Sequence, residues 1–305
     1  MLLKVTFLGT SGTVPAPNRN PSAILIQFEG IRLLFDCGEG TQRQMMIAKT
    51  GFKIHSVFIT HLHTDHFIGI FGLIETMSLN ERTERLRVFV PKENVDFMKT
   101  LFRMFGYHNL NYPIEVYGLK DGDEVDFGKF KILAFKTDHI VPSLGYALIE
   151  RDRPGKFDRA KAEALGIPPG PLYSKLVRGE AIEINGRIIT PDMVVGPKRR
   201  GRKVVYTGDT RPTERTIEVA RDADLLIHDA SFTSDLQDWA IQTKHSTARE
   251  AAEIAKRANV RQLILTHISA RYSKDATPLL EEAKEIFENV VVAEDFMSIE
   301  VKYRD

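Results

Sequence analysis

The chain has 305 residues, 43% of them apolar, which is enough for a sizeable core in one large domain or two small ones. Its 42 Lys and Arg against 41 Asp and Glu leave a formal charge of +1, which excludes a bulk polycation and confines any nucleic-acid contact to local patches. Cys37 is the single cysteine, so an intramolecular disulfide and a cysteine-built zinc site are excluded, and no apolar run approaches the ~20 residues of a membrane helix. The first eight residues run straight into a strand pattern with no signal-peptide layout, so a reducing cytoplasm is expected.

Residues 3–8 read as a strand and 9–12 as a turn, followed by a loop dense in Pro and Asn at 14–21. Residues 23–28 and 31–35 read as a hairpin around Glu29-Gly30. The second of these strands delivers Asp36, which could support a metal site or cap the helix expected at 41–49. Residues 56–59 are a short β-branched run of buried-strand type, and 67–74 read as the first turns of a buried helix. Between them lies Thr60-His61-Leu62-His63-Thr64-Asp65-His66, with four potential ligands in six residues. His61 and His63 share one face of extended chain, while Asp65 and His66 diverge at a helix start. That layout suits two neighbouring metal ions better than one, and imidazole with carboxylate suits zinc and similar divalent ions.

A strand at 86–90 and a helix at 92–105 come next. The runs 114–117, 124–127 and 129–135 read as a β-meander that ends in Thr137-Asp138-His139, placing His139 after a strand as His61 is placed. A strand at 144–149 precedes a change of composition. Residues 150–180 hold Arg151, Arg153, Lys156, Arg159, Lys161, Lys175 and Arg178, and the stiffened tip Gly166-Ile167-Pro168-Pro169-Gly170-Pro171. This stretch is an insertion that leaves the core, either a solvated excursion or an arm that grips a polyanion. A second basic run, Lys198-Arg199-Arg200-Gly201-Arg202-Lys203, is either a solvated loop or a phosphate contact. Strand 203–206 then delivers Asp209 in a Gly-containing turn, where a carboxylate can bridge two cations. Strand 225–228 ends in Asp229-Ala230-Ser231. Lys244-His245-Ser246-Thr247 precedes an Ala-rich helix at 248–258, with Thr247 and Glu250 spaced as a capping box. Strand 262–266 ends in His267. A helix at 277–287 and strands at 290–293 and 297–301 close the chain. Strands and helices alternate in two halves, and each half delivers ligand types at strand ends, where sites of α/β proteins form.

The His-x-His-x-Asp-His stretch resembles the signature of the metallo-β-lactamase superfamily, which implies a four-layer αββα sandwich with a dinuclear metal site at one edge. Within it the chain resembles ribonuclease Z (tRNase Z) of the short form. The resemblance rests on the opening Phe7-Leu8-Gly9-Thr10-Ser11-Gly12, on Phe35-Asp36-Cys37-Gly38-Glu39-Gly40-Thr41-Gln42, Thr207-Gly208-Asp209-Thr210, Lys244-His245-Ser246-Thr247 and Thr266-His267-Ile268-Ser269, and covers nearly the whole chain. It implies one domain over 1–305 with residues 150–180 as a tRNA-gripping arm. It implies two Zn²⁺ per subunit, with other divalent ions such as Mn²⁺ as alternatives. His61, His63 and His139 would hold one ion, Asp65, His66 and His267 the other, and Asp209 would bridge them. Asp65 would also orient the nucleophile, and His245, a non-ligand, would be the general acid. RNA contacts would fall at Arg151, Arg153, Lys156, Gly166, Pro168, Gly170, Lys198, Arg199 and Arg200. The implied reaction removes the 3′ trailer of precursor tRNA, in the cytoplasm, by a homodimer whose arm serves the partner subunit. The other reading of the same fold is a phosphodiesterase for small phosphodiesters. One motif departs: His228-Asp229-Ala230-Ser231 stands where many relatives read His-Glu-Ala-Thr. Asp229, the carboxylate that would hold His245, is one methylene shorter, which leaves its reach open.

Overall fold

The computed structural model describes residues 2–304. Strands β1 (Leu3–Gly9), β2 (Ala23–Phe28) and β3 (Ile31–Phe35) lead into helix α1 (Thr41–Ile47). Then come β4 (Ser56–Phe58), α2 (Thr64–Phe67), α3 (Ile70–Leu79), β5 (Leu86–Pro91), α4 (Val95–Met104) and β6 (Ile114–Leu119). Strands β7 (Glu124–Asp126), β8 (Phe130–Lys136) and β9 (Leu144–Glu150) open the second half. Helices α5 (Arg159–Ala164) and α6 (Pro171–Val177) and strands β10 (Ile182–Ile184) and β11 (Arg187–Ile189) are inserted next. The chain then runs through β12 (Lys203–Tyr206), α7 (Glu214–Ala220), β13 (Leu225–Asp229), α8 (Gln237–Thr243), α9 (Ala248–Arg257), β14 (Leu263–Thr266), α10 (Thr277–Lys284), β15 (Val290–Val292) and β16 (Ser298–Glu300).

Two compact units result: the chain up to Leu148 with Lys203 onward, and Ile149–Arg202. The first unit holds two seven-stranded sheets, ordered β16-β1-β2-β3-β4-β5-β6 and β15-β14-β13-β12-β9-β8-β7. Side-chain alternation along the strands decides the layers. In β4, Phe58 joins Phe7, Phe35, Tyr146, Ile227 and Ile264 in the core shared by the two sheets. Its neighbour Val57 faces the other way, joining Leu34 and Val88 against Met45, Leu73 and Met98 of α1, α3 and α4. On the second sheet, α9 packs on β13 and β14 through the buried alanines Ala251, Ala252 and Ala255. The layers are therefore αββα, as expected. Thr247 caps α9 with the reciprocal Thr247–Glu250 box, satisfying two otherwise orphaned donors.

The expected meander does not form. Helix α4 carries the chain back over the sheet, so β6 enters parallel to β5, while β7 and β8 pair as a hairpin in the other sheet. Short apolar runs do not say which sheet they join. The helix after the His-rich turn is broken at Gly69, where a Cβ would lie 2.0 Å from the Gly38 carbonyl; α2 thus starts inside the motif.

The second unit is longer than the excursion expected over 150–180. It runs to Arg202 because β10 and β11 form a hairpin whose Asn185-Gly186 turn has both φ angles positive (51° and 76°), the geometry Asn-Gly favours. Ile182, Ile189 and Val194 bury with Ala162, Ile167 and Leu176 in a small core of the unit's own. A buried ion pair, Arg202 Nε to Glu150 Oε2 at 2.8 Å, joins its two chain ends.

Candidate metal centre

Six strand ends of the first unit deliver the site. Asp36 follows β3, His61 to His66 follow β4, His139 follows β8, Asp209 follows β12, Asp229 ends β13 and His267 follows β14. Asp36 and His267 both adopt left-handed backbone, φ 56° and 60°. That conformation is uncommon for side-chain-bearing residues and concentrates at functional sites.

All seven sequence-expected ligands converge. His61 Nε2 lies 3.1 Å from His63 Nδ1 and 3.5 Å from Asp209 Oδ2; His139 Nε2 lies 3.2 Å from His63 Nδ1. On the other side, His66 Nε2 and His267 Nε2 each lie 3.5 Å from Asp65 Oδ2 and 3.3 Å from Asp209 Oδ2. Asp209 Oδ2 thus belongs to both groups. Donors about 2.1 Å from one tetrahedral centre would sit about 3.4 Å apart, so these spacings fit cations in both groups. Burial argues the same way. Both carboxylate oxygens of Asp65, Asp209 Oδ1, His66 Nε2 and His267 Nε2 are buried without a hydrogen-bond partner, an arrangement that is strongly unfavourable unless a cation accepts the lone pairs.

The far nitrogens of the imidazoles are held. His66 Nδ1 donates to Asp36 Oδ2 at 2.8 Å, and His139 Nδ1 donates to the Lys244 carbonyl at 3.1 Å. His61 Nδ1 meets Thr60 Oγ1 at 3.0 Å, and Thr60 in turn reaches Asp36. Tyr206 donates to the same Asp36 carboxylate at 2.7 Å. These partners fix each ring so that its other nitrogen points inward. Electrostatics follows. Burial opposes its charge, yet His267, His66 and His61 hold the Asp209 carboxyl well below the usual range. Burial likewise opposes a charged His66, but Asp209, Asp36 and Asp65 raise it well above the ordinary imidazole value. Burial holds His61 well below that value, as a neutral donor.

His245 clusters with Asp209, Asp229 and His267, but its Nδ1 lies 3.9 Å from Asp209 Oδ2, farther than the 3.1–3.5 Å that separates the donors above. Its ring stacks on His267 at 4.9 Å between centroids, and its Nδ1 donates to Asp229 Oδ2 at 2.9 Å. The shorter carboxylate therefore reaches. Against desolvation, Asp229 raises the His245 imidazole to about 9. Asp229 itself is fully buried and accepts also from the backbone N–H groups of Thr210, Ser231 and Ser246.

The nine positions expected to touch RNA all fall in the second unit. The two basic runs, distant in sequence, are joined there by Arg153 and Arg199, whose backbones exchange hydrogen bonds at 2.7 and 2.9 Å. Arg151, Lys156, Lys198 and Arg200 are exposed, as are Gly166, Pro168 and Gly170.

A family model described as a beta-lactamase superfamily domain matches residues 191–268, and one described as anti-Pycsar protein Apyc1 matches 3–153. Ribonuclease Z of Archaeoglobus fulgidus is 68% identical over 99% of both chains. The chain belongs to the ribonuclease Z family. A further member, from Methanosarcina acetivorans, is 53% identical over 99% of both chains, and one from Myxococcus xanthus is 42% identical over 100% of this chain and 99% of its own. The crystal structure of human tRNase Z, short form, superposes with a TM-score of 0.71 at 27% identity, covering 98% of this chain and 99% of that one. The fold of the family is thus the fold seen here, and it is one that binds divalent metal. Among the described residues no helix is long and apolar enough to cross a membrane.

The family signature was legible in the sequence, but the hydroxyls around it were not. Thr60, Ser231 and Tyr206 carry no spacing signal, because each bonds a residue that only the fold brings near.

Proposed function

We propose that this chain is a zinc-dependent endoribonuclease that removes the 3′ trailer of precursor tRNA. It cuts after the discriminator nucleotide and leaves a 3′-hydroxyl on the tRNA and a 5′-phosphate on the trailer. The observation that carries the chemistry is His245: an imidazole whose Nδ1 is taken by a buried carboxylate, Asp229, at 2.9 Å, while Asp209 Oδ2 stays 3.9 Å away. His61, His63 and His139 would hold one zinc, Asp65, His66 and His267 the other, with Asp209 shared. Bound divalent ions supply Lewis acidity, making water acidic enough to attack phosphorus at neutral pH and neutralising the phosphate's growing charge. Asp65 orients the attacking water and takes its proton. Asp229 keeps a proton on His245 Nδ1, so Nε2–H is the atom that donates to the departing 3′ oxygen. Asp36 and Thr60 keep His66 and His61 facing inward. Arg151, Arg153, Lys156, Lys198, Arg199 and Arg200, with the Gly166, Pro168 and Gly170 tip, grip the tRNA backbone. The enzyme acts in the cytoplasm as a homodimer.

A purified preparation incubated with a trailer-bearing precursor tRNA, with and without chelator, tests this. One chelator-sensitive cut beside the discriminator base is expected. Absence of that cut, with metal-dependent hydrolysis of a small phosphodiester, would favour the second reading, a phosphodiesterase for small phosphodiesters.

A further inference from the structure

Two buried carboxylates serve the site, and they are wired alike. In the first half of the chain, Asp36 takes the Nδ1 proton of His66 directly, at 2.8 Å, and reaches His61 through a hydroxyl, Thr60 Oγ1. In the second half, Asp229 takes the Nδ1 proton of His245 directly, at 2.9 Å. Its other oxygen, Oδ1, meets Ser231 Oγ at 2.8 Å, and Ser231 Oγ meets His267 Nδ1 at 2.9 Å. Asp229 Oδ1 lies 3.9 Å from that Nδ1, too far for a direct bond.

We propose that Ser231 is a positioning residue that orients the metal ligand His267 and ties it to Asp229, the carboxylate that holds the acid His245. The placement of protons fixes the direction. His267 can face Asp65 and Asp209 with the lone pair of Nε2 only if its proton is on Nδ1. That N–H donates to Ser231 Oγ, and the single hydroxyl proton of Ser231 then goes to Asp229 Oδ1, its nearest and charged acceptor. The His267 carbonyl, 2.9 Å from the same hydroxyl, is its alternative acceptor. Asp229 thus turns one oxygen to the ligand and the other to the acid. Ser231 and His267 are both 3% exposed, so water does not readily replace the hydroxyl. Without it, His267 Nδ1–H is buried with no partner and its ring is free to turn.

The proposal rests on the metal-site reading, not on the RNA substrate, so its test is zinc binding. Metal-free protein is titrated with zinc against a chromophoric chelator, for the wild type, Ser231→Ala and Ser231→Thr. Ser231→Ala is expected to weaken one zinc equivalent by about 10–100-fold and leave the other unchanged, while Ser231→Thr, which keeps the hydroxyl, binds as wild type does. Unchanged affinity in Ser231→Ala, equal loss of both equivalents, or the same loss in Ser231→Thr would overturn it. A measurement on the wild type guards against a variant that fails to fold. In the zinc-loaded protein the His267 ring is expected to show a slowly exchanging Nδ1 proton by NMR, and an Nε2–H tautomer would refute the wiring. Trailer cleavage can fail without touching either readout.

Discussion

On the proposed reading, replacing His245 by Ala removes the proton donor without removing a ligand. Cleavage should slow by about 10²–10⁴-fold while the zinc content of the purified protein stays that of the wild type; parallel loss of both would assign His245 to the ligands. Cys37 offers a second residue-scale test. It is fully buried, and desolvation pushes its thiol up to about 12. A thiol reagent at neutral pH should therefore react with it only after denaturant unfolds the chain, as a time course with and without guanidinium would read. At this scale the sequence was informative where residue type is itself chemistry. Seven His and Asp at strand ends announce ligands. Ser231 does not, because a serine is common everywhere and its bond to His267 spans 36 positions with no periodicity to betray it.

Among elements, β4 joins the core to the site. Phe58 stacks on Phe35 and Phe89 at centroid distances of 5.1 and 4.6 Å, and three residues later, just past Thr60, the chain delivers His61. Phe58→Ala should lower unfolding free energy by about 3–5 kcal/mol in chemical denaturation. The capping box of α9 is a smaller case. Thr247 follows Ser246 and His245 directly, so Thr247→Ala should lower stability by about 0.5–2 kcal/mol and loosen the segment that carries His245. Both α9 and its box were legible because capping is a local pattern. The meander was not, since three short apolar runs read alike whether they share a sheet or divide between two. The hairpin of β10 and β11 carried a readable Asn-Gly signal between Ile184 and Arg187, which lies just past the boundary at 180 expected for the insertion.

For the whole molecule, the candidate ligands lie in one compact unit and the candidate RNA contacts in the other. Excising residues 150–201 with a short linker should abolish tRNA cleavage and spare hydrolysis of bis-p-nitrophenyl phosphate; equal loss of both activities would deny the insertion a substrate-specific role. In the intact protein, tRNA affinity should fall steeply with salt. Substituting Lys198, Arg199 and Arg200 should flatten that dependence by about 0.7–0.9 in log–log slope for each phosphate no longer neutralised. The net charge of +1 does not show this division; the local basic runs at 150–180 and 198–203 do, because charge summed over a chain says nothing of where it gathers.

The unpartnered atoms of Asp65, Asp209, His66 and His267 make folding and metal loading one equilibrium. If native chain binds zinc as proposed and unfolded chain does so far less, each tenfold rise in free zinc above the dissociation constant should add about 1.4 kcal/mol to stability. For a chain of this size that is roughly 2–3 °C in melting temperature. Calorimetry in zinc-buffered solution would then read the protein as a thermometer of free metal, with a melting point that climbs along a logarithmic scale. On that reading, scarcity of zinc would cost the protein stability as well as activity.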